Sequence, residues 1–124
     1  MEILVFGLEN ENAVLSSLRK RFPSVGFKKC DLSGELEEEG RRLVVIDTLK
    51  GLDRVMLVED VHSISPGRAM DGSGTLMTLR ILLKLGALES VRMIAVPDDY
   101  PEEDAVEEMS SAIRTVLSTG SSGQ

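Results

Sequence analysis

The sequence predicts an α/β fold: a three-layer sandwich in which a mixed, mainly parallel sheet of about five strands has helices on both faces. The main observation is that short apolar runs, typical of buried strands, alternate along the chain with longer segments of helical period. The second observation is the size of the chain. Its 124 residues, of which 42% are hydrophobic, are enough to fill one core of this kind. We therefore expect a single α/β domain over residues 1–118 and a flexible tail over 119–124, which is rich in Gly and Ser.

The first half of the chain predicts a strand, a helix and two further strands. Residues 3–6 are a continuous apolar run that ends at Gly7, as expected of a buried strand. Residues 25–30 are a weaker alternating run, and residues 43–46 are a second fully apolar strand with Asp47 at its carboxyl end. The helix between the first two strands has its apolar residues at helical spacing: Ala13, Val14, Leu18 and Phe22.

The second half begins with a strand that we expect to be antiparallel. Residues 54–59 contain an apolar run, and the connection from Asp47 is too short for the crossover helix that a parallel strand needs. This strand therefore belongs at or near an edge of the sheet. Residues 62–74, with a proline and three glycines, predict a long loop of the kind that is often functional. Earlier in the chain, the charged residues 35–42 predict a short exposed helix.

Two helices and a strand complete the pattern. Residues 75–85 place leucines on one helix face, and Gly86 supplies the C-terminal stop. Residues 91–96 are the last apolar strand. Residues 101–117 predict a helix whose first turn is acidic, where the helix dipole favours negative charge. The buried stripes of the two helices are predicted as Leu76, Leu79, Leu82 and Leu83 in the first, and Ala105, Met109, Ala112, Ile113 and Val116 in the second.

Charge and composition exclude several classes of protein. The 21 acidic and 14 basic side chains give a formal net charge of -7, which argues against a nucleic-acid surface. The one dense basic run, residues 19–21, is expected on the outer face of a helix. The single cysteine, Cys30, excludes a disulfide framework and a cysteine-rich zinc site. No apolar stretch is long enough to cross a bilayer, and the N-terminus has no signal-peptide layout. We expect a cytoplasmic protein that does not insert into membranes.

Ligands of α/β sheets bind beyond the carboxyl ends of the strands, which directs attention to the turn after the first strand and to Asp47. The turn, residues 7–11, has one glycine and two carboxylates, whereas a phosphate loop needs several glycines and would be repelled by the acids. A receiver domain also places an Asp at such a strand end, but it requires a Lys after the last strand, where this chain has Pro97. Asp47 can equally serve as a turn cap that accepts hydrogen bonds from nearby backbone N–H groups.

The loop over residues 62–74 offers two further candidates. His62 is the only imidazole of the chain, and a lone loop His is more often a surface residue than a metal ligand or general base. Asp71 is either a turn or helix-capping residue or, together with Asp47 and Glu11, one of three oxygen ligands. Three carboxylates without imidazole suit a harder ion, or a weaker nickel or zinc site than one that contains His.

Four segments in sequence order resemble the hydrogenase maturation proteases, the endopeptidases that trim the C-terminal tail of the nickel–iron hydrogenase large subunit. Residues 1–10, MEILVFGLEN, are similar to the family's opening strand and its glycine-to-asparagine turn. Residues 43–48 are similar to the strand that delivers the family's central Asp. Residues 70–86 look like the loop and helix that carry its His, and residues 91–97 look like its final strand and proline exit. Together these segments span most of the chain.

The resemblance implies a nickel-sensing site made by an acidic residue after the first strand, the central Asp and the His. Asp47 matches the central Asp in position and context. Glu11 is the candidate for the first ligand, because this chain lacks several residues and the family's acidic-glycine motif after Asn10. The family's His position falls on Asp71, nine residues after His62. A carboxylate there does not reproduce the nickel affinity and selectivity that a His ligand contributes.

The resemblance therefore implies a peptidase that cleaves the hydrogenase large-subunit precursor once, after nickel insertion. Asp47 would be its catalytic residue, and Glu11, Asp47 and Asp71 would contact nickel carried by the substrate. The alternative is a non-catalytic docking or assembly factor on the same fold with a degenerate metal site. An unrelated small-ligand α/β domain is a third hypothesis, because this architecture hosts many functions.

Overall fold

The computed structural model describes residues 1–8, 10–30, 42–59 and 75–122, and in the last range it describes the side chains of residues 77–118. Several predictions fall outside these residues: most of the charged segment 35–42, the loop over residues 62–74 and, within that loop, His62 and Asp71.

Strands and helices alternate along the described part of the chain. The strands are β1 (Glu2–Val5), β2 (Gly26–Lys29), β3 (Arg42–Leu49), β4 (Met56–Val58) and β5 (Ser90–Pro97), and the helices are α1 (Glu11–Arg21), α2 (Thr75–Lys84) and α3 (Glu102–Ser122). The sheet order is β2-β1-β3-β5-β4. All neighbouring strands are parallel except β4, which runs antiparallel to β5 at the sheet edge. The α/β prediction and the antiparallel edge strand are both confirmed.

Apolar side chains cover both faces of this sheet. Alternation along β1 sends Ile3 and Val5 to one face, where they pack in a cluster with α1 and α3. Leu4 and Phe6 point to the other face and join a second cluster that contains Leu79 of α2. Helices therefore lie on both faces of the sheet, as the three-layer prediction requires. No helix in the described ranges combines the length and apolar character needed to span a bilayer.

The helices differ from the sequence prediction in detail. Ala13 is exposed, and Leu15 takes the buried place beside Val14 and Leu18. Successive residues are about 100° apart on a helix, so Leu15 shares the face of Val14 and Leu18 whereas Ala13 does not. Helix α3 has its predicted stripe buried, but it continues to Ser122, past the predicted end of the pattern. Propagating a helix costs much less free energy than nucleating one, so an anchored stripe supports further turns beyond it.

Candidate functional site

Asp47 lies at the point where β1 ends and β3 continues. The pairing of β1 with β3 stops at Val5 and Ile46, and the Phe6 backbone N–H donates to the Ile46 carbonyl over 2.8 Å. Asp47 is the next residue of β3, and there it pairs with Ala95 of β5 on its other side. The strand continues to Leu49, three residues beyond the predicted run 43–46, so Asp47 lies inside β3 but beyond the carboxyl end of β1.

The carboxylate of Asp47 is buried, with the residue only 2% exposed. Because side chains alternate along a strand, Asp47 points to the same face as Val45 and Leu49, which belong to the cluster beneath α2. Among the described residues it is the only buried side chain that can carry a full charge. The Thr48 backbone N–H donates to Oδ1 of Asp47 over 2.8 Å. This contact is the backbone hydrogen bond expected of a capping Asp, so the capping interpretation describes part of its environment.

The turn after β1 brings backbone close to this carboxylate. Gly7 has a φ of +46°, a left-handed conformation that residues with a side chain rarely adopt. A Cβ atom at this position would lie 3.3 Å from Oδ1 of Asp47. Gly7 is therefore required twice, for the backbone conformation and for the close approach. A single glycine here serves the packing of an acid, which agrees with the poor match to a phosphate loop.

Glu11 has a different environment from Asp47. It is the first residue of α1, where its negative charge interacts favourably with the positive end of the helix dipole. Its Oε2 atom lies 3.1 Å from Nζ of Lys29 on β2, and the same ammonium donates to Oδ1 of Asn12 over 2.9 Å. Helix α1 packs on the sheet face opposite to α2, whereas Asp47 points toward the α2 side. The structure thus brings Glu11 to Lys29 and Asp47 to Gly7.

The predicted three-carboxylate site is only partly visible. Glu11 and Asp47 both lie beyond the carboxyl end of β1, whereas Asp71 lies outside the described residues. Within the described ranges no three His, Cys, Asp or Glu side chains come close enough to hold a metal ion.

A small crevice opens beside Thr48 at the same edge of the sheet. Its space is about 10 Å³, enough for roughly one water molecule. Its lining combines four polar residues, Asn10, Thr48, Tyr100 and Glu102, with apolar side chains of β5, α1 and α3 and the apolar Leu8. This volume does not fit a small-molecule ligand, so the crevice gives no support to the hypothesis of a small-ligand domain.

Tyr100 and Glu108 form a polar contact that the sequence analysis missed. The Tyr100 hydroxyl donates to Oε2 of Glu108 over 2.6 Å, and the Val55 backbone N–H donates to Oε1 over 3.0 Å. The hydrogen bond to Glu108, aided by burial, raises the pKa of Tyr100 to about 12. Glu108 thereby ties α3 to the turn after β5 and to the residue before β4. The feature of the sequence that could have identified Glu108 is its position three residues after Ala105, at the border of the buried stripe of α3.

A wider groove between α1 and α3 lies away from Asp47. It encloses about 410 Å³ and is lined mainly by the acidic first turns of α3. Arg21 lies 2.6 Å from Glu107, and this hydrogen bond lowers the pKa of Glu107 and raises that of Arg21. Arg21 belongs to the basic run predicted on the outer face of a helix, and all three residues of that run are exposed.

Comparison of the chain with models of protein families, with curated proteins and with solved structures finds no match in any of the three. A functional assignment therefore depends on the residues and the geometry of this chain.

Proposed function

We propose that this chain is a hydrogenase maturation endopeptidase, which removes the C-terminal tail of the nickel–iron hydrogenase large subunit after nickel insertion. The observation that carries the proposal is Asp47, a buried carboxylate just beyond the end of β1 and against Gly7. Burial of a carboxylate costs free energy, so an acid kept at the ligand-binding edge of an α/β sheet is a candidate for function. The resemblance in four segments supplies the reaction and its substrate.

In this proposal nickel belongs to the substrate, and the chain's own carboxylates contact it. Asp47 takes the central position, and Glu11 and Asp71 complete the contact. Glu11 must then leave Lys29, and since the side chains are 26% and 51% exposed the loss is small. Ion pairs of this kind contribute about 1 kcal/mol or less. A metal held against Asp47 would fix the position of the scissile peptide bond near the sheet edge, which is how binding geometry accelerates hydrolysis. With one cysteine, the expected compartment is the cytoplasm.

The second candidate function is a docking or assembly factor that binds the large subunit without cutting it. Two contacts favour it. Asp47 accepts a hydrogen bond from the backbone of Thr48, and Glu11 is engaged by Lys29. The carboxylates of Asp47 and Glu11 therefore already have structural roles, and a protein with a degenerate metal site would retain these roles.

The experiment that separates these functions is intact-mass analysis of a nickel-loaded large-subunit precursor from the same organism. The precursor is incubated with the natural protein, with Asp47→Asn, or with Asp104→Asn, a matched change at an exposed acid of α3. The peptidase proposal expects loss of one defined C-terminal peptide with the natural protein and with Asp104→Asn, but not with Asp47→Asn. A nickel-free precursor should remain intact.

Other outcomes decide against the peptidase. An uncut precursor that co-purifies with the natural protein, with or without nickel, supports the docking factor. Cleavage by Asp47→Asn at the natural rate removes Asp47 from the chemistry. A precursor that is neither cut nor bound overturns both proposals and leaves the resemblance as one of fold alone.

A further inference from the structure

Helix α2 exposes an apolar ridge on the side away from the sheet. Met77, Ile81 and Leu85 are 63%, 49% and 75% exposed. They are four residues apart, which aligns side chains along one helix face, and the Leu85 backbone N–H still donates to the Ile81 carbonyl over 2.9 Å. We call these three residues the α2 ridge. It extends over about 12 Å at a rise of about 1.5 Å per residue.

The other side of α2 is also apolar. Leu79 is fully buried in the cluster beneath the sheet, and Leu82 and Leu83 pack against that cluster while remaining half-buried. A surface helix ordinarily has one apolar stripe and a polar outer face. Apolar side chains on two opposite faces are typical of a helix covered from both sides. Contiguous exposed apolar side chains of this kind mark an interaction surface.

The charge beside the α2 ridge indicates the chemistry of what covers it. Between Thr75 and Leu85 the charged side chains are Arg80 and Lys84, both basic, although the whole chain has a net charge of -7. On a helix, position 84 lies about 20° from position 77 and position 80 about 60° from it, on the same side of the ridge. Lys84 is exposed. Arg80 already has an interaction partner within the protein. The exposed Lys84 therefore gives this flank of the ridge its positive charge, and no residue of α2 is acidic.

This one-sided charge disfavours an antiparallel two-fold pairing of α2 with a second copy of the chain. In a two-fold antiparallel pairing of α2 with itself, the same flank of both helices lies on the same side of the contact. The basic residues of both copies would then face each other along one seam, and juxtaposed like charges oppose association. A partner with carboxylates along that seam meets the opposite situation.

We propose that the α2 ridge is a docking surface for an amphipathic helix of a different protein, with apolar side chains at helical spacing and a row of Asp or Glu facing Lys84. Apolar contact along the ridge supplies the binding free energy, and the charged flank sets the orientation and the choice of partner. This proposal does not depend on the proposed peptidase activity.

The test uses two synthetic helical peptides with the same stripe of leucines, one flanked by Glu and the other by Lys, and measures binding by fluorescence anisotropy. The Glu-flanked peptide should bind the natural protein at least about tenfold more tightly than the Lys-flanked peptide. Ile81→Glu should weaken binding about tenfold or more. The matched control Ser111→Glu, which adds the same charge at an exposed position of α3, should leave binding unchanged. Lys84→Glu should reverse the preference between the two peptides.

Circular dichroism is used to check that each variant is folded, and Met77→Gln provides a milder second change of the α2 ridge. Equal binding of the two peptides, no binding of either, or natural affinity in both ridge variants overturns the proposal. A dimer seen by sedimentation equilibrium that Ile81→Glu dissociates also overturns it, because the occupant would then be a second copy.

Discussion

Gly7 leaves room for the buried carboxylate of Asp47, because a Cβ atom at Gly7 would lie only 3.3 Å from Oδ1. Gly7 lies in the turn after the first strand and Asp47 belongs to the third, forty positions later in the sequence. The turn after β1 and the acid on β3 therefore form one structural unit at the carboxyl edge of the sheet. A substitution at either residue should therefore alter the environment of the other.

Gly7→Ala should lower the free energy of unfolding by about 1–3 kcal/mol, because it adds both backbone strain and a tight contact. Two other glycines separate these causes. Gly86 has a φ of +78° but open space around its Cβ position, so Gly86→Ala should cost only the strain, about 1 kcal/mol. Gly26 has ordinary contacts of 3.8 Å or more and no left-handed backbone, so Gly26→Ala should change stability by less than about 0.5 kcal/mol. Urea denaturation measures all three, and an equal cost at Gly7 and Gly26 would contradict the described geometry.

Asp47→Asn should keep the fold and, under the proposed peptidase function, remove processing of the precursor. Asn has the same size as Asp and retains the Oδ1 atom that accepts from the Thr48 N–H, so the free energy of unfolding should change by about 1 kcal/mol or less. Asp47→Ala removes that acceptor and leaves space in the core, so it should cost about 2–4 kcal/mol. Denaturation curves recorded beside the mass assay give both quantities. If Asp47→Asn were as unstable as Asp47→Ala, its loss of activity would be a folding defect.

Tyr100 should ionise only at strongly alkaline pH, because it is the donor in a hydrogen bond to Glu108. It is the only tyrosine and the chain has no tryptophan, so ultraviolet absorbance reports this one phenol. The midpoint should lie near 12, and Glu108→Gln should move it toward the ordinary value of 10.0. A midpoint near 10 in the folded natural protein would exclude the hydrogen bond.

The same contact predicts how stability depends on pH. The pKa of Tyr100 is raised in the folded state, so its contribution is complete below pH 10, the ordinary value, and is lost as the pH rises through about 12. The difference in unfolding free energy between the natural protein and Tyr100→Phe should therefore be constant at neutral pH and should shrink above pH 10. A constant difference up to pH 12 would contradict this linkage.

The three-layer arrangement predicts that β5 is sensitive on both faces. Ile94 packs in the cluster with α1 and α3, Met93 packs in the cluster with α2, and both are fully buried. Ile94→Ala and Met93→Ala should each cost about 2–5 kcal/mol. Met56 on the edge strand β4 is 46% exposed, so Met56→Ala should cost under about 1 kcal/mol. A small effect at either β5 position, measured by thermal or urea unfolding, would show that one helical layer does not cover the sheet.

Much of the fold was predictable because it depends on local sequence features, namely apolar runs and the lengths of the connections between them. The run of residues 3–6 predicts a strand with both faces buried, and the short connection after Asp47 predicts the antiparallel edge position of β4. The predicted apolar stripe of α1 omitted Leu15. It followed the four-residue spacing of Val14 and Leu18, and Leu15 lies between these two positions. The extension of α3 was missed because its last turns have no apolar stripe.

The candidate site was less predictable, since its contacts join distant parts of the chain. Sequence pattern placed Asp47 at the carboxyl edge of the sheet, because an acid that follows an apolar strand belongs there in an α/β fold. The same pattern grouped Glu11 with it, whereas the structure engages Glu11 with Lys29 of β2. The partners of Tyr100 and Glu108 likewise depend on how α3 crosses the sheet.

The order of apolar runs and helical periods along the chain is sufficient for the α/β class and the edge position of β4, because strand and helix periodicity reflects which side chains must leave water. It does not specify that Gly7 lies beside the Asp47 carboxylate, that Glu11 pairs with Lys29 or that the α2 ridge faces outward. Those relationships arise when the strand order β2-β1-β3-β5-β4 brings separate segments together. Hydrogen bonds and ion pairs act over a few ångströms, so they depend on three-dimensional positions that a one-dimensional pattern leaves open.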